Sequence, residues 1–220
     1  MTTSPGAAPS VGLSGGAYGF YTNVSLFGGP SVPMGPSPEV TMPEGGSATP
    51  VAASEPKAIA QYGPATIFSS NTLDVRTQGT AGSVTSSATV QNVNASMNEV
   101  FTAATASSTC TADASGASGS AKIAGGKLTV SLGPDLDETA TDDTVVDVPA
   151  DPAPNTAIEG KIENVGDSFR YVFNEQIMED EGSITVNAGH LYLLGPIALG
   201  EAIVGQSRCS TTASATGGGG

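Results

Sequence analysis

The sequence predicts an all-β protein: an antiparallel β-sandwich or jelly-roll-like fold of about ten strands, closed by one disulfide. Three observations predict it. Runs rich in Val, Ile, Thr and Phe follow one another between Gly and Asn turns. No segment carries a sustained helical period of apolar residues. Two cysteines, Cys110 and Cys209, stand far apart at polar strand-like segments, with no spacing suited to a metal site.

Taken in chain order, residues 1–15 read as a flexible N-terminal arm. The first strand is expected over residues 17–27, where Tyr18, Phe20, Val24 and Leu26 are apolar enough to join a sheet. Residues 28–57 hold Pro30, Pro33, Pro36, Pro38, Pro43, Pro50 and Pro56 and are expected to form a long Pro-rich loop, since that spacing breaks helices and central strands. Further strands are expected over 66–77, 83–93, 100–110, 120–123 and 127–132. After an acidic loop over 134–151, others are expected over 155–161, 168–174, 183–194 and 201–208. One β-domain thus spans 16–210, followed by a flexible Gly-rich tail over 211–220 that ends in Gly217 to Gly220.

Composition narrows the function. Hydrophobic residues make up 38% and charged residues 13%, so the core is thin and the surface is covered mainly by Ser, Thr, Asn and Gly. Seven basic against 21 acidic residues give a net charge of −14, a field that repels phosphate backbones and anionic headgroups. Nucleic acid is therefore an unfavoured partner. No apolar run approaches the length of a membrane-spanning helix, so no membrane insertion is expected of this chain. The opening Met-Thr-Thr-Ser-Pro-Gly has neither the basic start nor the apolar stretch of an export signal.

A Cys110–Cys209 bridge between neighbouring strands would close a long loop and stabilise the domain by roughly 4 to 5 kcal/mol on the chain-entropy model. That suits an oxidising, extracellular setting; the competing reading is two free thiols in a reducing one.

Candidate chemistry is sparse. His190 shares strand parity with Ile184, Val186, Ala188, Tyr192 and Leu194, which places it on an apolar face as a neutral, hydrogen-bonded ring. No nucleophile or orienting carboxylate is placed beside it by sequence, and neither a P-loop nor a dinucleotide fingerprint is present, so no catalytic residues and no enzyme activity are expected. Asp135, Asp137, Glu138, Asp142 and Asp143 offer the oxygen ligands that calcium prefers, without EF-hand spacing. A solvated loop is the first reading and weak Ca2+ binding the alternative; no other cofactor is expected. Phe169, Tyr171 and Phe173 line one face of one strand, as core rings or as an exposed strip for stacking on sugars. Tyr18, Phe20 and Tyr21 cluster in the first strand, whose first reading is pairing within its own sheet and whose alternative is contact with a ligand or a neighbouring subunit by strand addition.

The segment Gly182-Ser-Ile-Thr-Val-Asn-Ala-Gly-His-Leu-Tyr-Leu-Leu194, followed by Ala202-Ile-Val-Gly-Gln-Ser-Arg-Cys209, resembles the closing signature of the choice-of-anchor P proteins, exported actinobacterial proteins with varied C-terminal anchors. Pro154-Asn155-Thr156, Val172-Phe173-Asn174-Glu175-Gln176 and Ser107-Ser108-Thr109-Cys110 resemble further blocks in the same order, and Gly16-Ala17-Tyr18-Gly19 resembles the early strand. The resemblance covers roughly 16–210 and implies an exported β-domain with paired cysteines and no assigned reaction. The resulting expectation is a non-enzymatic structural or surface-displayed protein of the bacterial cell exterior. Two alternatives are a subunit of an extracellular filament or virion surface, and a module that binds a glycan, a cell-envelope component or a host surface.

Overall fold

In a computed structural model, residues 11–80, 82–97, 99–130, 144–162, 166–180 and 182–213 are described. Fifteen strands and no helix occupy them: β1 (Val11–Leu26), β2 (Val32–Thr41), β3 (Ser47–Glu55), β4 (Ala58–Tyr62), β5 (Ala65–Ser70), β6 (Leu73–Thr80), β7 (Ser83–Ser96), β8 (Glu99–Asp113), β9 (Gly116–Ala124), β10 (Lys127–Val130), β11 (Thr144–Asp147), β12 (Thr156–Ile162), β13 (Asp167–Asp180), β14 (Ser183–Leu194) and β15 (Ala198–Ala213). None of them is long, apolar helix, so no helix among the described residues could cross a membrane.

The strands form two antiparallel sheets, as expected. The first has the order β12-β13-β14-β15-β1-β2. The second runs β11-β10-β8-β7-β5-β4, with β9 also on β8, β6 on β7, and β3 on β6. The long strands β7 and β8 make this branching possible, because each has room for two short partners along one edge. The sheets pack face to face, with β14, β15 and β1 over β6 to β9.

Alternation drives the packing. In β6, Leu73, Val75 and Thr77 are buried while Arg76 and Gln78 are exposed; in β8, Phe101, Ala103, Ala106, Ser108, Cys110 and Ala112 face inward. The thin core concentrates its bulk in two aromatic groups. Tyr171 and Phe173 stack at 4.7 Å and each meets Phe101 at 5.1 Å. Phe20 stacks on Phe68 at 4.6 Å. Each buried ring contributes roughly 1.5 to 3 kcal/mol. Phe169, Tyr171 and Phe173 are all core residues, which excludes them as an exposed sugar-stacking strip.

The disulfide is present, but it does not join neighbouring strands. Cys110 on β8 and Cys209 on β15 belong to different sheets, with Cα atoms 5.9 Å apart, and both are buried. The bridge therefore fastens one sheet to the other through the core.

Several sequence expectations need correction. The 28–57 segment is mostly strand: Pro33, Pro36 and Pro38 lie in β2 and Pro50 in β3. Proline is tolerated there because β2 ends its sheet and β3 pairs only with β6, so a missing N–H can fall on the unpaired side. Residues 66–77 form two strands, broken at Asn71 and Thr72, whose backbones bond to Gln91 instead. Residues 11–15 of the expected arm and 211–213 of the expected tail are strand, and they pair with each other in β1 and β15. Of the acidic 134–151 segment, 144–147 form β11, where Asp147 receives Lys127 at 2.9 Å. The remaining arm and tail residues and 134–143 of the acidic loop, including Asp135, Asp137, Glu138, Asp142 and Asp143, lie outside the described residues, while Val148 is buried and Asp151 pairs with Lys122 at 3.2 Å.

β1 pairs within its own sheet, the first of the two readings of that strand. It lies between β15 and β2, so both its edges are already hydrogen-bonded and it has no edge to offer another subunit. Phe20 faces the core, whereas Tyr18 and Tyr21 lie on the outer face.

Candidate functional site

The outer face of the first sheet carries most of the polar chemistry, and a slip of strand parity creates it. In four adjacent strands two successive residues both face the core: Phe173 and Asn174 on β13, Ala188 and Gly189 on β14, Val204 and Gly205 on β15, and Gly19 and Phe20 on β1. Asn174 and Gly205 take positive φ angles of 49° and 62° at this line. A Cβ on Gly189 would meet Tyr171 and Phe101, and one on Gly19 would meet Leu73, so both glycines keep the backbone close to the core.

The slip inverts the expected placement of His190. Ile184, Val186 and Ala188 face the core, but beyond Gly189 the inward residues are Leu191 and Leu193, and His190, Tyr192 and Leu194 point outward. His190 is therefore not on the apolar face, although it is 5% exposed and fully engaged.

The register then stacks outer-face residues in rows across the sheet. One row is Glu175, Asn187, Gln206, Tyr18 and Glu39, from β13 through β14, β15 and β1 to β2. Beyond the slip lie Val172, His190, Ile203 and Tyr21, then Arg170, Tyr192, Glu201 and Asn23.

These rows form a closed hydrogen-bond network. His190 Nδ1 donates to Glu175 Oε2 at 2.6 Å, and Asn187 Nδ2 donates to the same oxygen at 2.7 Å. Tyr192 Oη donates to Glu175 Oε1 at 2.6 Å, and its ring lies 3.9 Å from that of His190. Gln206 Nε2 donates to Asn187 Oδ1 at 2.8 Å. His190 Nε2 lies 3.0 Å from Glu201 Oε2, so each ring nitrogen faces a carboxylate.

Burial raises the Glu175 carboxyl, but the bonds from His190, Tyr192 and Asn187 outweigh it, and its pKa lies below the usual carboxylate value. Burial, followed by the bond to Glu175, holds the Tyr192 phenol well above its ordinary value, so it remains a donor. Tyr18 is likewise raised by burial against the opposing charge of Arg208. With both nitrogens of His190 facing carboxylates, the network ties β13, β14 and β15 together, and among the described residues no hydroxyl is bonded to the imidazole. Among the described residues no group of three or more His, Cys, Asp or Glu side chains could hold a metal ion.

The other end of the same face is open. A cavity of about 270 Å³ is lined by Ser14 and Gly15 of β1, Thr41 of β2, Glu179 of β13, Ser183, Ile184 and Thr185 of β14, and Arg208, Cys209 and Ser210 of β15. Its floor is the rows Ile177, Thr185, Arg208, Gly16, Thr41 and Ser183, Ser210, Ser14.

Of the residues singled out by sequence, the fold brings His190 and Tyr18 to this face, moves Phe20 into the core and leaves Tyr21 half-buried beside Ile203. Glu175, Asn187, Tyr192, Glu201 and Gln206 were not anticipated. Their sole sequence trace is the polar alternation Ser183, Thr185, Asn187, which does not reveal the residues opposite.

The architecture is that of a two-sheet, disulfide-linked antiparallel sandwich. Compared with family models, curated proteins and solved structures, the chain finds no match in any of the three.

Proposed function

We propose that this chain is an exported, non-enzymatic structural or surface-displayed domain of the bacterial cell exterior. The observation that carries the reading is the buried bridge from Cys110 to Cys209, which holds the two sheets together and is compatible with an oxidising setting. The acidic, hydroxyl-rich composition and the resemblance to choice-of-anchor P proteins support it. The test is labelling of intact producing cells with a membrane-impermeant amine reagent, coupled to peptide mapping under non-reducing conditions. Labelled protein with the bridge formed supports the reading; protein confined to the cytosol with both thiols free overturns it.

A second reading, a subunit of an extracellular filament or virion surface, is favoured by one observation. Phe27, Leu194 and Leu199 are 85%, 58% and 59% exposed at one end of the first sheet, where Leu194 pairs with Leu199 and the Phe27 backbone bonds to Ile197. Sedimentation over a wide concentration range tests it: assembly that Leu199→Ser weakens supports it, and a monomer throughout rejects it.

A further inference from the structure

The outer face of the first sheet divides into two halves of opposite character. In the half around Glu175 and His190 the polar side chains bond one another. In the cavity half, among the described residues, the hydroxyls of Ser14, Thr41, Ser183, Thr185 and Ser210 have no hydrogen-bond partner in the protein. Ser183 and Thr185 are each 9% exposed and sit low in the cavity, while Ser14, Thr41 and Arg208 are exposed around it. Five hydroxyls that bond no protein group and line one cavity are free to bond a ligand held there.

The lining sets the class of that ligand. Arg208 supplies a fork of donors, with its nearest acid, Glu39, as far as 3.9 Å away. Glu179 supplies acceptors only, and five hydroxyls supply both. A donor-only and an acceptor-only group facing one space match vicinal hydroxyls, each of which gives and takes a hydrogen bond. An oxyanion would be drawn to Arg208 but opposed by Glu179 and by the net charge of −14; a cation would meet Arg208. A neutral polyhydroxylated ligand is opposed by neither. The volume, near the lower end of the roughly 300 to 1000 Å³ typical of ligand clefts, suits a short sugar segment. Gly16 keeps the floor low beside Arg208: a Cβ there would stand 3.5 Å from the guanidinium and 3.0 Å from the Val40 carbonyl oxygen.

We propose that this cavity binds a neutral glycan, with Arg208, Glu179, Ser183 and Thr185 as the contact groups. The proposal goes beyond the surface-domain reading and is independent of it, since binding is read on purified protein and display on cells.

The experiment uses the full disulfide-bonded chain on an array of neutral oligosaccharides (gluco-, manno-, galacto-, arabino- and N-acetylglucosamine oligomers), with uronic-acid and sulfated oligomers alongside. Titration calorimetry then follows with the strongest neutral binder. Arg208→Ala and the near-isosteric Thr185→Val are each expected to weaken that binding at least tenfold, with far-ultraviolet circular dichroism and melting unchanged. Thr109→Val, on the opposite sheet, is expected to leave affinity within twofold. Absence of any neutral binder overturns the proposal. So does binding restricted to the acidic oligomers, or neutral binding that Arg208→Ala and Thr185→Val both leave intact.

Discussion

Removing the bridge with the paired substitution Cys110→Ala and Cys209→Ala tests how this thin core is held together. The sequence separation of the cysteines is 99. Closing a loop of that size removes chain entropy from the unfolded state worth about 4.7 kcal/mol at 25 °C. Against a typical domain stability of roughly 5 to 15 kcal/mol, that is a large share. The loss should be near this value because the two sulfurs lie between packed sheets, so the native state is held in place by its strands whether or not the bond is present. For a domain of this size each kcal/mol shifts the melting temperature by about 2 to 4 °C, so a fall of roughly 10 to 18 °C is expected. Urea unfolding followed by circular dichroism reads both quantities, and the m-value should rise because the untethered unfolded chain exposes more surface. A loss below about 1 kcal/mol with an unchanged m-value would refute the reasoning, since the unfolded state would then not be constrained by the link.

Other substitutions probe separate parts of the fold. Phe101→Ala removes the ring that both Tyr171 and Phe173 meet and should cost about 3 to 5 kcal/mol in the same urea assay. Asp167→Ala leaves two backbone donors in the turn between β14 and β15, Ile197 N and Ala198 N, without the carboxylate they now use at 2.8 and 3.1 Å. It should cost about 1 to 3 kcal/mol, and faster amide exchange at those two positions would localise the effect. The Glu175 carboxyl is depressed in the folded state, so its contribution is fully present above the unfolded value of about 4.3 and is lost as pH falls through the folded value. Stability measured from pH 6 downward should therefore fall less steeply below about pH 4.5 in Glu175→Gln than in the parent. An identical acid limb in both proteins would show that Glu175 is not held ionised by His190, Tyr192 and Asn187.

The strand content was legible because β-branched and aromatic residues alternate with polar ones over runs too short and too regular in period for helices. The inward set of β13 follows from that period alone: Phe169, Tyr171 and Phe173 are two residues apart and buried together. The cysteine pairing was legible too, from the absence of any other thiol. Proline misled the reading at β2 and β3, because sequence spacing records the missing N–H but not whether a strand has a partner on that side.

Local sequence by itself determined which segments extend, where most turns fall and that one covalent link is available, since backbone preference and period-two burial act within a few residues. Tertiary structure decided what crosses strands. The parity slip through Asn174, Gly189, Gly205 and Gly19 is a collective property of four paired strands, and it turned His190 away from the core face its position implied. The same registers set Glu175 and Glu201 against the two nitrogens of one ring and left the hydroxyls of Ser183, Thr185 and Ser210 around Arg208 unspent. Those residues come from β13, β14 and β15, consecutive strands of one sheet, and only the register of their pairing and the face that packs on the other sheet fix which of them meet.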